Sequence, residues 1–174
     1  MTVRPAQTDD IPAIARVHVD SWRTTYAGIV AAAYLNALSY EQHEERHRRY
    51  IAHPDTFYLV AELPDEGIVG FLSGGPERSG ERRFAGELFA IYLRQNHQRR
   101  GIGKGLVQKW ATSLQERGLN SALVWVLADN APAISFYQRL GAKRLREQMI
   151  EVAGEPLKEL AYGWDDLRTL YSEM

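Results

Sequence analysis

The stretch from Phe84 to Ala111 constrains the chain most. Phe84-Ala85-Gly86-Glu87-Leu88-Phe89-Ala90-Ile91-Tyr92-Leu93 is an apolar, aromatic-rich run of strand length. Gln98-Arg99-Arg100-Gly101-Ile102-Gly103-Lys104-Gly105 is a basic, glycine-rich turn that opens directly into Leu106-Val107-Gln108-Lys109-Trp110-Ala111, where the spacing is helical. A helix start leaves about four backbone N–H groups without intrahelical partners and carries roughly +0.5 charge from the aligned peptide dipoles, so phosphates bind there. Gly101, Gly103 and Gly105 lack the Cβ atoms that would obstruct close approach, and Arg99, Arg100 and Lys104 add positive charge. The local chemistry points to a phosphate-bearing ligand.

The segments on either side supply a frame for this unit. Thr2 to Gln7 reads as a short strand, and Thr8-Asp9-Asp10-Ile11-Pro12 offers cap oxygens and a first-turn proline to a helix whose buried stripe is Ile11, Ile14, Ala15, His18 and Trp22. A second helix is expected over Ala31 to Leu38, and a third follows Ser39, with Gln42 completing a capping box. His43 and His47 share one face of that third helix, but without an HExxH pattern or a third ligand they indicate no metal site. Thr56 to Leu63 and Ile68 to Ser73 form a hairpin around Pro64-Asp65-Glu66-Gly67. After the central helix, Ser121 to Leu127 is a continuous apolar run. It suits a strand buried on both faces, parallel to the central strand through a βαβ crossover. Asn130-Ala131-Pro132 starts a short helix ended by Gly141, and Lys143 to Val152 with Leu157 to Trp164 reads as a final antiparallel pair.

With 174 residues, one domain over 1–174 is expected. A formal net charge of −1 argues against general nucleic-acid binding, which makes the basic turn a local feature. The absence of cysteine removes thiolate catalysis and cysteine-ligated metal and fits a reducing, cytoplasmic setting. No uncharged apolar run approaches the 18 or so residues of a membrane span, so no membrane partner is expected.

Three glycine-loop patterns compete for the turn. A dinucleotide fingerprint requires a third glycine where Leu106 stands and an acidic residue near Ala122. A Walker-type loop requires Ser or Thr where Gly105 stands and glycine in place of Gln98. Both fail on identity. Gln98-Arg99-Arg100-Gly101-Ile102-Gly103 instead matches a Gln/Arg-x-x-Gly-x-Gly/Ala signature, and Asn130, Ala133, Phe136-Tyr137 and Leu140-Gly141 match its partner. Together the two motifs, in this order along nearly the whole chain, resemble the GNAT superfamily of acetyl-CoA-dependent N-acetyltransferases.

The resemblance implies an α/β (α+β) GNAT fold: a mixed, mostly antiparallel twisted sheet of six to seven strands with a parallel, splayed central pair, flanked by four to five helices. It implies acetyl-CoA as co-substrate, with no metal. Pantetheine would pair with the backbone of Ile91, Tyr92 and Leu93, and the pyrophosphate would rest on the turn formed by Gln98, Arg99, Arg100, Gly101, Ile102, Gly103 and Lys104. Asn130 would bind pantetheine or cap its own helix. Glu87 matches the family's general-base position and Tyr137 its general-acid position, and a backbone N–H near Leu93 would stabilise the oxyanion. Trp22, Tyr26, Glu87 and Tyr162 are expected around a small-molecule amine acceptor. With no cysteine and no serine–histidine pattern, direct attack in a ternary complex is expected. The alternative is a GNAT-fold module that binds a CoA ester without turnover. A homodimer through the last strand is left open, on the ground that edge strands often pair.

Overall fold

The structure, a computed structural model, describes residues 1–171. Seven strands form one sheet: β1 (Thr2–Pro5), β2 (Phe57–Leu63), β3 (Gly67–Pro76), β4 (Gly86–Leu93), β5 (Ala122–Leu127), β6 (Lys143–Val152) and β7 (Glu155–Trp164), in the spatial order β1-β2-β3-β4-β5-β7-β6. Only β4 and β5 run parallel, joined by the helix α4 (Ile102–Glu116); every other neighbouring pair is antiparallel.

Side-chain alternation decides which helix covers which face. Leu88 of β4, Val124 of β5 and Leu160, Tyr162 and Trp164 of β7 share a core with Leu106, Val107, Trp110 and Leu114 of α4 and with Tyr137 of α5 (Ala131–Arg139). On the opposite face Ile14 and Val17 of α1 (Ile11–Thr25) meet Tyr58, Val60 and Phe71, with Ala90 and Tyr92 beside them. The helix α3 (Tyr40–Ile51) completes this second layer, and α2 (Ala32–Ala37) lies between the two. Ser39 caps α3 as expected, its hydroxyl oxygen accepting from the Gln42 backbone N–H at 3.3 Å.

Several boundaries move. α1 runs on to Thr25, so Trp22 lies within the helix. β3 extends to Pro76 and β7 begins at Glu155, because hairpin pairing continues through glycine and proline positions that read as turn from sequence. The last strand is not an edge: β7 lies between β5 and β6, and the sheet edges are β1 and β6. The ground on which a homodimer through this strand was left open, that the last strand is an edge, is therefore corrected. Among the described residues no helix is long and apolar enough to cross a membrane.

Candidate active site

The parallel pair separates after three residue pairs. Gly86, Glu87 and Leu88 face Ala122, Leu123 and Val124, and no further partners join β4 to β5. The cause is local: the β3–β4 register shifts between Ser73 and Gly74, so that Phe89 is an extra residue on β4. Such a bulge bends its strand and increases its twist. From Phe89 to Leu93 β4 keeps β3 on one side and has open backbone on the other. The Leu93 carbonyl accepts from the Ser21 hydroxyl at 3.2 Å and from the Gln98 amide at 3.4 Å, so α1 and the basic turn both meet the strand end.

The turn below the opening is built for an anion. Arg99 and Gly101 hold positive φ, 60° and 81°, and Gly101 caps α4 with no side-chain hydrogen bond and no acidic residue in the first turn. The first N–H groups of α4 thus have no protein acceptor from a cap. Gln98, Arg99, Arg100 and Lys104 are exposed, and among the described residues none of the three cations has a carboxylate within ion-pair distance. Gly103 has a different reason to be glycine. A Cβ there would lie 3.2 Å from the Phe136 ring, a tight contact that the ring would have to shift by a few tenths of an ångström to relieve. Ile102 is buried beneath the turn.

Three phenols gather where the strands part. Tyr26, at the end of α1, lies with its hydroxyl 3.3 Å from that of Tyr92 on β4. Tyr137 projects from α5, 5% exposed, against Phe136 and edge-on to Trp164. Burial raises the pKa of all three, and Tyr26 adds to the rise at Tyr92 and Tyr137. At neutral pH Tyr137 is a phenol that holds its proton. Asn130 caps α5, its side-chain oxygen accepting from the Ala133 N–H at 3.3 Å, and its amide also bears on Tyr26.

Glu87 sits on the face opposite α4, 6% exposed, and Arg78 occupies both of its oxygens: Nη2 at 2.9 Å to one, the backbone N–H at 2.9 Å to the other. The same guanidinium lies 3.3 Å over the Phe89 ring. Trp22 packs edge-on to Tyr26 at 4.8 Å and its indole N–H bears on the Tyr92 hydroxyl, whereas the indole N–H of Trp125 on β5 is buried without a partner. Tyr162 is not a wall of this cleft; it points into the α4 core, because residues on β7 alternate and Leu160 and Trp164 share its face. The expectation for Tyr162 is thereby corrected.

Sequence reasoning missed a buried polar chain between α1, α3 and the sheet. His18 of α1 hydrogen-bonds His47 of α3 at 3.0 Å, His47 bonds the Tyr58 hydroxyl, and His18 stacks on Tyr92 with ring centroids 5.0 Å apart. His47 thus spends both ring nitrogens inside the protein. The signal was present in the pairing of a histidine on the buried stripe of α1 with one on α3, but the partner across the gap could not be read from spacing.

Comparison with known proteins bears on this geometry. Residues 17–142 match the model of the acetyltransferase (GNAT) family. The chain belongs to the GNAT family. It is 43% identical over 170 residues to the uncharacterised N-acetyltransferase YuaI of Bacillus subtilis, spanning 98% of this chain and 96% of that one. It is 24% identical over 149 residues to a spermidine N(1)-acetyltransferase of Thermoplasma acidophilum, 81% of this chain and 87% of that one. The crystal structure of the PaiA N-acetyltransferase from Thermoplasma acidophilum in complex with coenzyme A superposes with a TM-score of 0.73 at 22% identity, over 91% of this chain and 96% of that one. The seven-stranded mixed sheet with one parallel pair is the GNAT fold. The protein is accordingly an acetyl-CoA-dependent N-acetyltransferase.

Proposed function

We propose that this acetyltransferase moves an acetyl group from acetyl-CoA to a primary amine of a small molecule or peptide, by direct attack while both substrates are bound. One observation carries the reading: the open β4 backbone from Phe89 to Leu93, the uncapped α4 N-terminus and the buried Tyr137 phenol flank the same gap in the sheet. When bound, acetyl-CoA supplies a thioester acyl group there. The backbone of Ile91, Tyr92 and Leu93 is assigned to pair with its amide chain, and the turn from Gln98 to Lys104 to hold its phosphates. Asn130 orients both α5 and Tyr26 at the rim.

Tyr137 is assigned as the acid that protonates the departing sulfur. Burial keeps the phenol protonated at neutral pH, so its proton is in place when the C–S bond breaks and the sulfur departs as thiol. An alkyl amine has a pKa of about 10, so a base must act before attack. Glu87 is assigned that role through water, with Arg78, whose side chain is 52% exposed, swinging away from the carboxylate. Trp22 and Tyr26 wall the acceptor side.

Initial rates of thiol release, with both acetyl-CoA and amine varied, test the order of events. Direct transfer gives intersecting double-reciprocal lines; parallel lines require an acetyl-enzyme and contradict the proposal. Acetyl-CoA that binds without thiol release from any amine in a broad panel supports the alternative, a CoA-ester-binding module.

A further inference from the structure

We propose that the guanidinium of Arg78 stands where the ammonium of the acceptor docks, so that the loop between β3 and β4 keeps the acceptor site closed until an amine displaces it. This rests on the assignment of Glu87 as base and locates the charged end of the acceptor beside it. The cradle itself is built by the strands. Gly75 of β3 faces Glu87 of β4, and Phe89 is the extra residue of the bulge that follows. A Cβ at Gly75 would lie 3.1 Å from the Phe89 ring and 2.7 Å from the Asp55 carbonyl oxygen, so the ring lies against bare β3 backbone. A carboxylate and an aromatic face thus converge on one cation, the two surfaces that attract an alkylammonium.

Arg78 fills this cradle from the loop. Its Nη2 donates to one Glu87 oxygen at 2.9 Å, its Nε lies 3.4 Å from the other, and its guanidinium carbon stands 3.3 Å over the Phe89 ring. Among the described residues Arg78 pairs with no other carboxylate and Glu87 with no other cation. Glu87 is buried on its strand, whereas the Arg78 side chain is 52% exposed, so the guanidinium is the part that can leave. The rest of the loop is tied elsewhere: Arg83 to Asp165 at 2.6 Å, Glu81 to Arg146 at 3.5 Å, and Glu77 to the Gly80 N–H at 3.1 Å. The Arg78 backbone N–H bonds Glu87 at 2.9 Å independently of the side chain. Departure of the guanidinium therefore leaves the carboxylate one donor, and the incoming ammonium restores the opposing charge that a buried carboxylate requires.

A guanidinium is a planar fork that spans both carboxylate oxygens, whereas an ammonium is a compact point charge. The exchange leaves room for the water through which Glu87 acts. Arg78 and Phe89 also border a cavity of about 110 Å³ walled by Ser73, Tyr58 and Ala90. Ser73 and Tyr58 are buried, so a cation in the cradle has hydroxyl-lined space beside it rather than packed core. An acceptor meets a competent site only in the fraction of molecules whose guanidinium has swung out, and its apparent affinity is reduced by that fraction.

Arg78→Ala removes the guanidinium and keeps the backbone N–H on Glu87. The probe is n-butylamine, an ammonium at neutral pH because its pKa is about 10. It is used as ligand in calorimetry with the CoA-saturated protein and as acceptor in thiol release from acetyl-CoA. Its Kd and KM are expected to fall on the order of tenfold in Arg78→Ala, as when an open fraction of about one-tenth becomes complete. Ethylguanidine, the fragment that the substitution deletes, is expected to compete with the amine in the variant, to return KM towards the wild-type value, and to leave wild type unaffected. A merely structural role for Arg78 would move unfolding stability and produce neither effect. An equal or higher Kd and KM in the variant, inhibition by ethylguanidine that does not compete with the amine, or no butylamine binding to either protein would overturn the proposal. Arg78→Gln repeats the calorimetry if Arg78→Ala fails to fold, with the same outcomes. If no amine in a broad panel releases thiol, the transfer reading fails, and calorimetry still decides the docking site: tighter butylamine binding in the variant supports it, and equal binding refutes it.

Discussion

Acid should loosen the layer that α1 and α3 form on the sheet through one residue, His47. The side chain is 3% exposed and bonded to His18 and Tyr58. Burial lowers its pKa from 6.5 to about 4, with the charges of His43 and Arg46 acting in the same direction. In the unfolded chain the imidazole takes a proton near pH 6.5; in the folded protein it resists until about pH 4. The unfolded state therefore binds more protons in that window. The stabilisation is complete above pH 6.5 and is lost as the pH falls towards 4. A difference of about 2.5 units at about 1.4 kcal/mol each is about 3 kcal/mol. His18, whose pKa burial also depresses, adds to the loss in the same direction. Replacing His47 with Gln keeps a hydrogen-bonding side chain and removes the titration. Urea unfolding followed by tryptophan fluorescence at pH 7 and pH 4.5 should show wild type losing about 2.5 kcal/mol more than the variant, since the last half unit above the folded pKa lies below this range. Equal losses would refute the view that this histidine is held neutral by burial. Because His18 stacks on Tyr92, acetyl transfer should also fall in acid more steeply in wild type than in the variant.

Glu87→Gln should lower kcat on the order of 10²-fold or more and leave acetyl-CoA affinity within about twofold; an unchanged kcat removes Glu87 as base. Gly101→Ala forces a Cβ onto a residue at φ 81° and should cost about 1 kcal/mol of stability and weaken acetyl-CoA binding, read by calorimetry and thermal unfolding. Ser39→Ala removes the α3 cap and should cost about 1 kcal/mol in urea without altering turnover.

The order of strands and helices was legible because the apolar runs switch cleanly between periods of two and 3.6, and the parallel pair because a helix separates the two most apolar strands. The anion turn was legible for a chemical reason: backbone N–H groups bind phosphate only where side chains stand clear, which leaves a glycine signature. Contacts that depend on facing elements were not. Tyr162 was placed on the wrong side because one register step reverses a strand residue's face. Arg78 could not be paired with Glu87 because the loop after β3 carries no periodicity. Gly103 looked like part of the phosphate cradle, yet it also lies in tight contact with the ring of Phe136 on a helix distant in sequence.

The most direct measurement of the central claim is thiol release from acetyl-CoA by wild type and Tyr137→Phe, with acetyl-CoA affinity measured in parallel. Loss of the acid should lower kcat on the order of 10² to 10⁴, while the cofactor binds as before, since the ring and its packing against Phe136 and Trp164 are kept. Equal kcat values in the two proteins would contradict the assignment of the splayed strands and Tyr137 as the place where the acetyl group is transferred.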